Sequence, residues 1–142
     1  MHVYKAERFN VLLVEPANLL RRTVSLTMRS LGTAEVTEAA NYATAFQACE
    51  VRRFDGAIVA IDWPMADNDC DGLTLIQRIR SGQCAVEPSA PISVLVEACD
   101  VELLQTLRAS KISRILIKPF RVRDVIDTIS AMNSQMTVST AG

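Results

Sequence analysis

The side chains best suited to chemistry in this chain are the carboxylates that follow a short apolar run near its middle. Residues 57–61 are all apolar, and the segment 62–71 directly after them carries four aspartates: Asp62, Asp67, Asp69 and Asp71. Open α/β sheets place ion- and phosphate-handling groups just beyond the carboxyl ends of their strands. The pattern therefore predicts a buried strand that delivers acidic side chains to such a site.

The rest of the chain predicts the sheet that would hold this strand. Short apolar runs alternate with amphipathic stretches, and we predict strands at residues 9–14, 34–37, 56–61, 92–96 and 113–117. Between them we predict helices over 18–31, 73–80, 101–109 and 122–132, and one that Asn41 opens and that ends near Arg52-Arg53. Asn18 and Asp100 are suited to the capping positions of the first and fourth helices. Five strand–helix units predict an α/β protein with a doubly wound, five-stranded parallel sheet. Crossovers of one hand then bring the carboxyl ends of the strands to one edge.

Composition narrows the class of protein. The 142 residues predict one domain, which we place at 9–132, between a leader at 1–8 and a flexible tail at 133–142. With 15 basic and 16 acidic residues the net charge is −1, so no overall charge favours nucleic acid or a membrane surface. No apolar run approaches a membrane span and no signal peptide is evident, which predicts a cytoplasmic protein.

The cysteines do not indicate a metal centre. None of the four lies at CxxC spacing, and the single histidine, His2, is in the leader, so a structural zinc site is not expected. We predict reduced thiols, with Cys49 in the core. The lone histidine also leaves no Ser–His or Cys–His nucleophile pair. We therefore predict that the protein is not an enzyme. The alternative of a small flavodoxin-like enzyme or nucleotide binder is disfavoured because no Gly-rich loop follows the first strand.

Several landmarks occur in a specific order along residues 9–132. They are VLLV followed by the acid Glu15, an arginine six residues later at Arg21, Pro64, Asp71-Gly72, and Lys118-Pro119-Phe120. Together they resemble the response-regulator receiver domain. The resemblance implies a five-stranded flavodoxin-like (βα)5 fold and a role in two-component or phosphorelay signalling. In that family an acid pair and an acceptor aspartate hold Mg²⁺, and a lysine neutralises the phosphoryl group.

This chain departs from the family's phosphorylation pattern at four positions. Glu15 matches the first acid, but Pro16 replaces the second. Counting from Asp55, the acceptor position falls on Ala60, and Pro64 supports that register by its spacing. Two further positions that matter are Val96, where Thr or Ser is expected, and Ile115, where an aromatic switch residue is expected. Of the matched groups Glu15 and Lys118 remain. We expect either an ion pair between these two or a lysine merely inherited from the family, in preference to catalysis.

Two alternatives stay open in the acidic segment. In a rival register Asp62 is the phosphoacceptor, with Mg²⁺ held by Glu15 and Asp62; otherwise no cofactor is expected. The residues 67–72 also begin like a calcium-binding EF-hand loop, but the twelfth position is Arg78 where glutamate is needed. We favour an enlarged solvated loop that ends at the cap of a helix. Trp63, in the same loop, either anchors an interface or covers the sheet edge.

These residues lead to one functional hypothesis. We expect a stand-alone receiver-like protein, not phosphorylated and not an enzyme, that acts as a protein-interaction module. The resemblance implies that the interaction surface is helix 4, strand 5 and helix 5 (residues 101–132), the face that the family usually offers to partners. Basic residues cluster there at Arg114, Arg121 and Arg123, with Lys111 and Lys118 nearby. Its expected partner is a histidine kinase, a phosphotransfer or effector protein, or a second copy of the chain. A solvated basic surface without a partner is the simpler interpretation of the charges.

Overall fold

The computed structural model describes residues 9–32, 34–61 and 71–141 of the chain. Within them, five strands alternate with five helices. The strands are β1 (Phe9–Val14), β2 (Ala34–Ala39), β3 (Gly56–Ile61), β4 (Ile92–Val96) and β5 (Arg114–Ile117). The helices are α1 (Asn18–Ser30), α2 (Tyr42–Val51), α3 (Asp71–Arg80), α4 (Val101–Ala109) and α5 (Val122–Ala141).

The strands form a single parallel sheet in the order β2-β1-β3-β4-β5. The predicted doubly wound, flavodoxin-like α/β fold is confirmed. β3 and β4 lie inside the sheet and every residue of both is buried, as expected for strands with helices on both faces. β3 pairs with β4 so that Ala60 lies opposite Leu95 and Ile61 lies opposite Val96. The carboxyl ends of the central strands therefore meet at one edge.

Two apolar clusters cover the two faces of the sheet. One contains residues of α2, α3 and α4, including Ala45, Ile76 and Leu103. The other packs α1 and α5 against the opposite face, with Met28 and Ile129 among its members. Cys49 is 1% exposed and belongs to the first cluster, so its predicted core position is confirmed.

Capping side chains and a glycine mark three of the helix ends. Asn41 accepts a hydrogen bond from the Thr44 backbone N–H, and Asp100 accepts one from the Leu103 N–H. The predicted helix start at Asn41 and the predicted cap Asp100 are therefore confirmed. α1 stops before Gly32, whose φ of +75° is a conformation that glycine adopts without strain.

The last helix is longer than the sequence pattern predicted. α5 continues past Met132 to Ala141, through most of the segment expected to be a flexible tail. No Gly or Pro interrupts residues 133–141. The helix is also held to the body beyond the predicted end, because the Ser113 hydroxyl donates to Gln135 Oε1 at 2.8 Å. The described residues include no helix long and apolar enough to cross a membrane.

Candidate functional site

A buried ion pair lies at the carboxyl edge of the sheet. Glu15 directly follows β1 and is 2% exposed, and Lys118 directly follows β5. Lys118 Nζ lies 3.0 Å from Glu15 Oε1, which confirms the expected pair. Oε1 has no hydrogen-bond partner among the described residues, so the positive charge of the Lys118 ammonium is what compensates the negative charge of the carboxylate.

Glu15 is also held by hydrogen bonds from residues that follow it in the chain. Its Oε2 accepts a 2.8 Å hydrogen bond from the Ala17 N–H, at the start of α1. Its backbone carbonyl accepts one of 2.9 Å from Arg21 Nη1. Arg21 also bonds Glu38 of β2, at 3.2 Å, so it ties the end of β1 to the neighbouring strand. Glu15 is therefore positioned by three elements, and its carboxylate is directed at Lys118.

Ala60 lies on β3 at the position that the landmarks assign to the phosphoacceptor. Its side chain is 2% exposed and packs in the apolar cluster shared with α1 and α5. Its carbonyl accepts a 2.7 Å hydrogen bond from the Tyr42 hydroxyl of α2. A Cβ added at Gly72 would come within 2.5 Å of the same carbonyl, so only glycine fits there. Tyr42 and Gly72 close this end of β3.

Sequence reasoning did not find the role of Tyr42. Its one visible signal is its place directly after the capping residue Asn41, which fixes where α2 starts but not where the ring points. The sequence shows Gly72 only as part of an Asp-Gly pair. The structure explains why glycine is needed there, because α3 begins against the end of β3.

The other three departures from the family pattern also lack a group that could serve phosphorylation. Val96 is fully buried at the end of β4, between Ile61 and Ile117 in the strand register. Ile115 is half-buried against the cluster on the α2–α4 face. Pro16 is exposed beside Glu15. None of the three side chains carries an oxygen.

The described residues at this edge do not suit Mg²⁺. The ion needs several oxygen ligands, usually including one or two carboxylates. Glu15 is already paired with Lys118, and Glu97, whose Oε2 is 3.8 Å from Lys118 Nζ, is largely exposed. No group of three His, Cys, Asp or Glu residues in the described part of the chain could hold a metal ion.

The rival acceptor and the candidate cation loop lie outside the described residues. These are Asp62, Trp63, Pro64, Asp67 and Asp69. Asp71, at the end of the acidic segment, is described and is the first residue of α3. Phosphorylation at Asp62 and cation binding at 67–71 both stay predictions.

A shallow cleft of about 400 Å³ opens beside the ion pair. It is lined by Leu20, Glu97, Lys118, Pro119 and Phe120. The Lys118–Pro119 peptide bond is cis. The cleft has apolar walls from Leu20 and Phe120 and charged groups from Lys118 and Glu97, so it connects the pair to the surface next to β5.

The predicted basic surface is accessible. Arg114, Arg121 and Arg123 are exposed on β5 and around the start of α5, and none forms an ion pair with another described residue. Two large apolar side chains are exposed beside them, Ile117 at 51% and Val122 at 55%. This surface combines cationic and apolar groups, as protein interfaces often do.

Comparison with known proteins gives one family. The model of the response regulator receiver domain matches residues 11–130. No curated protein matches the chain significantly.

Solved structures agree with that family. A CheY-like receiver domain protein from Methanospirillum hungatei superposes with a TM-score of 0.78 at 16% identity, covering 93% of this chain and 98% of that one. The chemotaxis protein CheY4 of Vibrio cholerae has a TM-score of 0.73 at 26% identity, covering 88% and 98%. The receiver domain of a LuxO-type repressor from Vibrio parahaemolyticus has a TM-score of 0.77 at 16% identity, covering 94% and 96%.

Proposed function

Because this chain belongs to the response regulator receiver family and so to two-component signalling, we propose that it signals by binding a partner and not by accepting a phosphoryl group. Its conformational state would then be set by a partner with different affinities for two states of the domain. The proposal also includes that the domain acts on its own and catalyses no reaction.

The observation that carries this proposal is the buried methyl group of Ala60. Phosphoryl transfer needs a nucleophilic oxygen at the end of β3, together with cations that neutralise the transferred group. At Ala60 there is no side-chain oxygen, and the backbone carbonyl accepts a hydrogen bond from the Tyr42 hydroxyl. The cation that remains, Lys118, is already compensated by Glu15 at 3.0 Å.

The surface proposed for the partner is made by α4, β5 and the start of α5. Arg114 and Arg121 supply positive charge, and Ile117 and Val122 supply exposed apolar area. Such a surface suits a protein that offers carboxylates around an apolar patch, because charges steer the encounter and apolar burial holds the complex. A signalling protein or a second copy of the chain meets this description.

The first prediction concerns phosphorylation. After incubation with a small phosphodonor and Mg²⁺, intact-mass spectrometry should detect no added phosphoryl group, because Ala60 has no acceptor oxygen. Stoichiometric labelling that disappears in Asp62→Asn would sink the proposal and establish the rival acceptor. A receiver with an intact acceptor, treated in parallel, shows that the donor is active.

The second prediction concerns the interaction surface. In quantitative affinity purification, the double charge reversal Arg114→Glu/Arg121→Glu should lower the yield of a bound two-component protein, or of an untagged second copy, at least about tenfold, since each rim charge acts on the encounter. Arg22→Glu/Arg53→Glu changes the net charge equally on exposed residues outside this surface, and it should leave the yield unchanged. Equal loss in both variants would show a general charge effect and count against the surface.

A further inference from the structure

Two cysteines lie near each other at the end of the sheet where the strands begin, opposite the end that carries the Glu15–Lys118 pair. Cys49 is on the last turns of α2 and is buried, and Cys84 is half-buried in the linker between α3 and β4. The backbone N–H of Ala85 donates to the carbonyl of Cys49 at 2.9 Å, which holds the linker alongside the end of α2. Cys84 packs on the apolar cluster that contains Cys49, so the two side chains share one part of the core.

We propose that Cys49 and Cys84 are a reversible oxidation site that closes to a disulfide and so ties α2 to the linker after α3. A disulfide needs Cα atoms about 4.4–6.8 Å apart and side chains that point at each other. The Ala85–Cys49 backbone hydrogen bond favours the first condition, because it places the backbone of Cys84 next to that of Cys49. The packing of the Cys84 side chain on the cluster that contains Cys49 favours the second.

The accessible thiol would react first. Cys84 is the partly exposed member of the pair, whereas burial, and to a smaller extent the neighbouring Cys84, raises the pKa of the Cys49 thiol to about 12. A thiol reacts as its thiolate, so Cys49 is protected from direct attack by oxidants in solution. Cys49 is thus suited to the second step, in which its partner is already in contact.

The oxidant proposed is a low-molecular-weight disulfide. Cys84 thiolate attacks one sulfur of that disulfide, forming a mixed disulfide and releasing the first small thiolate. Cys49, losing its proton to solvent, then attacks the sulfur of Cys84 and releases the second. The two cysteine sulfurs together lose two electrons, and the small disulfide gains them as two thiols. An excess of small thiol reverses both steps.

The other described cysteine does not compete for this bond. Cys99 follows β4, whereas Cys84 precedes it, so the strand separates them by roughly 15 Å. Cys99 lies near Asp100, at the edge of the sheet that carries Glu15 and Lys118. Oxidation under native conditions should therefore select the Cys49–Cys84 pair.

Closing this bond should stabilise the domain and restrict one region of it. A cross-link between Cys49 and Cys84 restricts the unfolded chain over α2–β3–α3, which we expect to raise the Tm by roughly 5–10 °C. The amides of Tyr42–Val51 should exchange more slowly with solvent once α2 is fixed to the linker.

The test is native oxidation of the full chain with glutathione disulfide, followed by acid quenching, alkylation, digestion and peptide mass spectrometry. We expect one Cys49–Cys84 linked peptide, a loss of two hydrogen atoms from the intact mass, and complete reversal by reduced glutathione. Formation should accelerate as the pH rises above neutrality, because each attack needs a thiolate.

Two variants make the outcome decisive without disturbing the core. Cys84→Ser changes a half-buried residue and should abolish the cross-link and the rise in Tm, whereas Cys99→Ser, also half-buried, should keep both. A glutathione adduct that persists on Cys84, a cross-link to Cys70 or Cys99, or no reaction in the folded protein would each overturn the proposal.

Discussion

Replacing Lys118 with methionine should lower the free energy of unfolding by about 3–5 kcal/mol, the usual cost of leaving a buried charge without its partner. Glu15 is 2% exposed, and Oε1 has only the ammonium of Lys118, at 3.0 Å, to compensate its charge. Methionine keeps most of the length of the side chain but supplies no positive charge. The measurement is urea unfolding at neutral pH, with the midpoint and slope compared between variant and wild type.

Substitution of the partner, Glu15, should cost less than substitution of Lys118. Glu15→Gln leaves a neutral side chain that still accepts from the Ala17 N–H, while Lys118, at 20% side-chain exposure, turns toward solvent or Glu97. The double variant Glu15→Gln/Lys118→Met should recover much of the loss. Equal costs for both single variants, or no recovery, would contradict the buried-pair account.

Replacing Arg80 with methionine should lower the free energy of unfolding by about 2–4 kcal/mol, because its charged hydrogen bonds join three parts of the chain. From α3 the guanidinium donates to Ala90 at 2.7 Å and Pro88 at 2.8 Å, in the linker before β4. It also donates to Ser110 at 2.8 Å and Lys111 at 3.1 Å, after α4. Burial lowers the pKa of Arg80, yet carbonyl oxygens and no carboxylate surround the group.

Neighbouring substitutions provide matched controls for Arg80. Arg80→Lys should recover little of the loss, since one ammonium cannot span four carbonyls in the plane of a guanidinium. Arg78→Met removes the same charge two residues earlier on α3, where the guanidinium lies over the ring of Phe46 at 4.7 Å on an exposed face. It should cost about 1 kcal/mol or less. Similar costs at positions 78 and 80 would show that the loss arises from helix charge and not from the bridging hydrogen bonds.

Much of the fold was predictable because it depends on local pattern. The uniformly apolar runs of β3 and β4 predicted buried parallel strands, and β3, β4 and α4 begin and end at the residues predicted. Asn41 and Asp100 identified two helix starts because a cap needs only the backbone N–H groups of the next turn. Asn18 did not behave as the predicted cap: it is the first residue of α1, and its side chain accepts from Arg21 instead.

Interactions between distant segments were harder to predict. The helix α5 runs to Ala141, and Gln135, beyond the predicted end, contacts Ser113, so a helix boundary at Met132 was wrong. Nothing in the sequence around Arg80 indicates that four carbonyls from separate loops would surround it. The proximity of Cys49 and Cys84 likewise depends on a linker that folds back on α2.

At the site itself, the sequence alone determined which chemical groups are present at the four altered positions, Pro16, Ala60, Val96 and Ile115, because composition and spacing need no coordinates. It also predicted that Glu15 and Lys118 would pair. Only the tertiary structure decided how deeply that pair is buried and that Tyr42 and Gly72 close over Ala60. The physical reason is that burial and contact arise when strands from separate parts of the chain meet at one edge of the sheet, and no local pattern encodes those distances.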